Sequence, residues 1–207
     1  PARPDALNEL DRCLEAGAVM MKCLPNCQNI NCNDNRFKPF WNRMAESGLP
    51  LLAHTGGEHT LEVVKAEYAN PEILRLPLEC GVIVIAAHAA TCSGIVDPNY
   101  FPALRQMMRE YENLYADTSA LNSPRRSFAF HDCLEDEHLA SRLVHGSDYP
   151  VPTTPFWAWF RGLICTGQWD ALRRITNPIE ADYQTKIAMG FPPEHFTRIN
   201  NLLRKTA

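Results

Sequence analysis

The sequence predicts an α/β fold, a partial (β/α)8 TIM barrel of about five parallel strand–helix units with its N-terminal strands missing. Three observations carry this expectation. Five apolar runs each end on a polar residue: Lys22, His54, His88, Asp117 and Asp148. The ends are separated by 32, 34, 29 and 31 residues, close to the roughly 30 residues that a strand–helix unit with its loops requires. The chain of 207 residues is shorter than the roughly 250 that eight such units need. It opens on a segment that reads as a helix already under way, so an N-terminal portion is expected to be absent.

Each unit has a local reason. Residues 4–15 predict a helix, with Leu7, Leu10 and Leu14 at helical spacing and Gly17 as its stop. Strand 18–23 is continuously apolar, as in a strand buried on both faces. A long loop, 24–36, precedes a helix over 37–47 with Phe40, Trp41 and Met44 inward. Strand 50–54 enters the flexible segment Thr55 to His59. A short helix over 71–79 leads to strand 81–88, the most apolar stretch of the chain. A helix over 100–112, a strand over 113–117 and a helical stretch near 130–141 follow, then strand 142–147. Beyond it, an irregular loop rich in proline and aromatic residues leads to terminal helices near 178–189 and 193–204. Residues 1–207 are expected to form one domain, with 151–207 packing on the barrel.

Composition excludes several classes. The net charge is −4 and the basic residues are scattered, so nucleic acid is not an expected partner. No apolar run approaches the 18 or more residues of a membrane span. Eight cysteines in a chain with a large core read as reduced thiols, and a cytoplasmic location is expected. Cys23, Cys27 and Cys32 cluster without a CxxC pair, so loop or buried thiols are favoured there over a structural zinc.

The chemistry lies at the strand ends. A neutral imidazole is the commonest metal ligand. A lone strand-end histidine is more often a packing residue, but His54 and His88 on neighbouring strands, with Asp148 at a third, favour a site. Asp148 can bind a metal or take a proton from metal-bound water, against the plainer reading of a turn residue before Pro150. Lys22, read as buried, could meet an anionic substrate or simply pair with Asp117 or Glu58. His59, Arg125 and Arg126 are candidate substrate-binding residues; the arginines suit a carboxylate, although such a pair is more often a solvated loop. Glu58 is a further candidate, whereas His145 points opposite to Asp148 and reads as a packing residue.

These pieces, VMMKCLPN, PLLAHTGGEH, GVIVIAAHAA, NLYADTSA and LVHGSDYPVP, with the closing RINNLLR, resemble the amidohydrolase superfamily, in particular the amidohydrolase-2 type of TIM-barrel hydrolase. The resemblance covers nearly the whole chain, as strands 4 to 8 of such a barrel. It implies His54 and His88 as site or metal-ligating histidines of strands 5 and 6. It implies Asp148 as the strand-8 aspartate that binds metal and serves as general base. Lys22 falls where some members carry a carboxylated lysine. The family's first-strand His-x-His pair has no counterpart here, so the chain alone is expected to bind metal poorly.

The expected function is metal-dependent hydrolysis of a C–N or C–O bond, in an amide, cyclic amide or lactone. The expected cofactor is a divalent metal, zinc above others, with Asp148 as base and His88 or Lys22 polarising the carbonyl. The rivals are a metal-dependent decarboxylase and an inactive partial barrel. The expected partners are a small-molecule substrate and a second copy of the chain, because an open sheet exposes its edges.

Overall fold

The architecture follows from the parallel pairing of five short strands, which the computed structural model places in one sheet in chain order. The structure describes residues 1–205. The strands are β1 (Met21–Cys23), β2 (Leu51–Ala53), β3 (Val84–Ala86), β4 (Leu114–Asp117) and β5 (Leu143–Val144). Helix α1 (Ala6–Glu15) precedes β1, and α2 (Pro25–Gln28) and α3 (Lys38–Glu46) follow it. Helices α4 (Arg75–Glu79) and α5 (Phe101–Glu110) precede β3 and β4. The pair α6 (Phe130–Glu135) and α7 (Glu137–Ala140) precedes β5. Five short helices close the chain: α8 (Phe156–Phe160), α9 (Thr166–Leu172), α10 (Pro178–Ala188), α11 (Pro193–Thr197) and α12 (Ile199–Leu202).

The alternation of side chains along each strand divides the sheet into two faces. In register, Leu51, Val84 and Leu114 point one way, as do Ala53, Ala86 and Ala116. This row packs against the helices, around Leu14, Phe40, Trp41, Met44, Leu104 and Met107. Trp41 is fully buried, and its indole N–H donates to the Cys32 carbonyl at 3.0 Å. That bond satisfies the ring's polar end and holds the 24–36 loop against the core.

The other face is the concave interior of the partial barrel. Lys22, Leu52, Ile85 and Tyr115 share it in register. Ile85 and Val144 are buried there with Leu202, while Met20, Leu52, Ile83 and Tyr115 are half-buried. The end of the chain thus serves as a floor: the Arg204 amide donates to Val19 O at 3.1 Å and its guanidinium to Leu14 O and Ala18 O.

Several elements differ from expectation. The run 81–88 yields only three residues of strand, and at its far end His88, Ala89 and Ala90 all turn to positive φ and leave the ladder. The 24–36 loop is more ordered than expected, with α2 capped by left-handed Asn29. The aromatic segment after Pro155 folds into α8, and α9 follows at Thr166–Leu172. Among the described residues, no helix is long and apolar enough to cross a membrane.

Candidate active site

The site is built where β2, β3, β4 and β5 end. His54 directly follows β2 and is 3% exposed. Thr55 donates its hydroxyl to Ala87 O at 2.6 Å, tying the segment after β2 to that after β3. Gly56 has φ +79, and a side chain there would meet the Thr91 carbonyl at 2.2 Å, so only glycine lets the two loops approach this closely. The left-handed turn at His88 carries a conformational cost, since L residues rarely adopt it. It is offset by bonds at both ends of the residue. The His88 amide donates to Asp117 Oδ1 at 2.8 Å, and Thr91 Oγ1 donates to His88 O at 2.7 Å.

The two imidazoles meet at the centre. His54 Nδ1 and His88 Nε2 are 3.3 Å apart, with the rings edge to face at 5.0 Å between centroids. Burial pushes both rings below the ordinary histidine range, so both are neutral near pH 7. Asp148, in a left-handed turn at φ 65, places Oδ2 3.8 Å from His88 Nδ1, a charge contact beyond hydrogen-bond distance. Burial, with Asp117 as a second carboxylate, raises the Asp148 carboxyl. Glu58 Oε2 stands 3.7 Å from His54 Nδ1.

Behind His88 runs a chain of bonds that sequence reasoning missed. Ser119 Oγ lies 2.7 Å from His88 Nδ1 and donates its hydroxyl proton to Asp117 Oδ1 at 2.5 Å. A hydroxyl has one proton. With that proton spent on Asp117, Ser119 Oγ accepts from His88 Nδ1–H, and the lone pair of His88 lies on Nε2, toward His54. Asp117 is buried yet held below the usual carboxylate range by His88, the Ser119 hydroxyl and two backbone N–H donors. Its position at a strand end was legible; Ser119, inside Asp-Thr-Ser, carried only the signal of a turn.

His54, Glu58, His59, His88, Arg126 and Asp148 all line a cleft of about 130 Å³. Several sequence expectations need correction. Lys22 is exposed, not buried, because β1 is an edge strand and its lysine projects from the concave face. It pairs with neither Asp117 nor Glu58 among the described residues, and it borders a separate hollow with Met20, Met21 and Leu49. Arg125 lies on the far side of Arg126, in a hollow of about 410 Å³ lined also by Cys92 and Phe128, and not in the histidine cleft. Arg126 does line the cleft, but its guanidinium is engaged with the backbone: it donates to Thr91 O at 2.7 Å and to Gly57 O at 2.7 Å. It braces the loops after β2 and β3, and its positive charge, after that of Lys22, acts on Asp148. His59 is exposed and paired with Asp97 at 2.8 Å. His145 packs among Tyr183, His195 and Phe196, in keeping with the packing role read for it.

Two nitrogens 3.3 Å apart match an edge of a tetrahedral zinc site, whose bonds of about 2.0–2.1 Å set ligand nitrogens about 3.3 Å apart. His54 Nε2 is also buried without a partner among the described residues. Asp148 does not complete such a site: His54 and Asp148 approach opposite nitrogens of His88, so the three do not face one point. No group of three His, Cys, Asp or Glu among the described residues could hold an ion. The described residues bring two nitrogen donors together at this point.

The comparisons agree with the fold. An uncharacterized TIM-barrel protein of Bordetella bronchiseptica matches with a TM-score of 0.57 at 18% sequence identity, over 89% of this chain. The chain spans 64% of that protein's chain. No curated protein matches this sequence. The family model described as amidohydrolase (Amidohydro_2) matches residues 1–168, and with parallel strands that end in His54, His88, Asp117 and the Asp148 turn, the chain belongs to the amidohydrolase family.

Proposed function

We propose that the chain carries the acid–base part of a hydrolase that cleaves a C–N or C–O bond in a small amide, cyclic amide or lactone. The observation that carries the reading is the pairing of a half-buried carboxylate of raised pKa, Asp148, with two neutral imidazoles in one cleft. A base works best when its pKa lies near the working pH. Asp148 takes a proton from the attacking water and, once protonated, returns it to the leaving nitrogen or oxygen. His88, held as the Nδ1–H form by Ser119 and Asp117, presents a fixed lone pair at Nε2. His54 contributes the second nitrogen.

Family membership supports a divalent metal, with zinc as the specific proposal. His54 and His88 would be this chain's share of its ligands, and no step above depends on it. The substrate is proposed to be a small molecule, as the cleft's size suggests.

The test is turnover of a panel of amides, cyclic amides, lactones and aromatic carboxylates by the chain, with zinc supplied. Release of amine or ring-opened acid supports hydrolysis. Release of carbon dioxide from the carboxylates, with no cleavage of the other substrates, would replace it with decarboxylation.

A further inference from the structure

The helix α10 carries a buried ion pair that the chemistry above does not use. Lys186 and Asp182 are both fully buried, with Lys186 Nζ 2.6 Å from Asp182 Oδ2. Each partner has a second bond, and the two bonds go to different loops. Lys186 Nζ donates to Gly146 O at 2.7 Å, two residues before Asp148. Asp182 Oδ1 accepts from Asn122 Nδ2 at 2.8 Å, three residues after Ser119.

The two loops also touch directly. Ala120 N donates to Ser147 O, and Thr118 N to Val144 O at 3.1 Å. A side chain at Gly146 would meet Ser119 Cβ at 3.0 Å, so the loops are in close contact there. One loop holds Ser119, the hydrogen-bond partner of His88; the other holds Asp148. An ion pair buried in a core is a weak source of stability, and apolar residues of similar volume often replace it without loss. Its best-attested use is to fix register, because it tolerates only one arrangement of its partners.

We propose that Lys186 and Asp182 are positioning residues: one buried ion pair joins the loop after β4 to the loop after β5 and so sets Asp148 against His88. The proposal rests on the functional reading only in taking Asp148 and His88 as the reacting groups. Without the pair, both loops would still follow their strands, but the bonds that hold Gly146 O and Asn122 to a common point would be gone.

Hydrogen exchange followed by mass spectrometry tests this on the whole chain. The variant is Lys186→Met/Asp182→Leu, which removes both charges together, breaks both arms and leaves no unpaired ion. Amides of 118–122 and 145–149 are expected to exchange about tenfold faster while β2 and β3 stay protected, because local opening is independent of global unfolding. Unchanged loops, or an equal rise in every strand, would overturn the proposal. If the double variant does not fold, Asn122→Ala removes one arm alone; faster exchange confined to 118–122 supports the clamp, and no change there overturns it. Loosened loops with undiminished turnover would leave the clamp standing and remove Asp148 and His88 from the reaction.

Discussion

His54 Nδ1 lies 3.3 Å from His88 Nε2, and both rings are buried and neutral. One can donate its proton to the other, or the two can share an ion. The Ser119–Asp117 chain settles the side of His88 on which the lone pair stands, because the Ser119 hydroxyl has already given its proton to Asp117. The Asp117 Oδ1 that accepts from Ser119 also accepts from the His88 amide, and so supports the left-handed backbone as well.

Zinc content is the first check. Two nitrogen donors bind weakly compared with the three or four ligands of protein zinc sites. The purified chain is expected to hold substoichiometric zinc after gel filtration, measured by plasma emission. One tightly held zinc per chain would show that a further donor reaches the histidines.

Asp148→Asn keeps the shape of the side chain and removes its basicity. Turnover of any substrate found is expected to drop by about 10²–10⁴, the usual contribution of a positioned acid or base. Asp148 is half-exposed and makes no short ion pair, so the thermal midpoint should hardly move. Near-normal turnover would exclude it as the base.

Ser119→Ala breaks the chain between His88 and Asp117. The His88 Nδ1–H keeps the carbonyl of residue 119 at 3.2 Å as its acceptor, so the loss is that of the two hydroxyl bonds, about 1 kcal/mol. Urea unfolding should show this as a lower midpoint at unchanged slope. An unchanged midpoint would mean that the bond contributes nothing in the folded protein.

Acid stability follows from the imidazoles. Burial lowers His145 to about 4 and His195 to about 3, and also lowers His54 and His88. An unfolded histidine titrates near 6.5, so below that pH the unfolded chain binds more protons than the folded one. The stabilisation is therefore complete above pH 6.5 and is lost as the pH falls toward the folded values. Each fully buried ring contributes a slope of at most about 1.4 kcal/mol per pH unit in that window, and less for half-buried His145. Guanidinium unfolding at pH 7, 6, 5 and 4 measures it. Constant stability across that range would show that the rings are already charged or solvated.

Association with a second copy is proposed from the concave face. Met20, Leu52, Ile83 and Tyr115 remain half-buried beneath α12, and β1 and β5 are sheet edges. Unpaired edges and apolar faces favour pairing with another chain. Light scattering of the purified chain should give a mass above 23.4 kDa, and a monodisperse monomer would rule the pairing out.

The strand ends were legible because a buried parallel strand is a run of apolar residues, and the first polar residue after it marks the face where loops meet. His54, His88, Asp117 and the turn at Asp148 could be located that way. Lys22 satisfied the same spacing, but spacing does not say whether a neighbouring strand covers the residue, and β1 lies at the edge. Arg125 and Arg126 are adjacent in sequence, yet only Arg126 turns toward the histidine cleft. The sequence did not single out Ser119, and Asp182 with Lys186 looks like a solvent-facing pair one helical turn apart. Their roles come from what lies above them: the β4 and β5 loops cover α10, exclude water, and convert an ordinary i,i+4 pair into a buried junction. Hydrophobic periodicity determined the strands and the face on which the site lies. Only tertiary packing decided which polar groups are buried together, because a buried polar side chain leaves no hydrophobic trace in the sequence that would give away its surroundings.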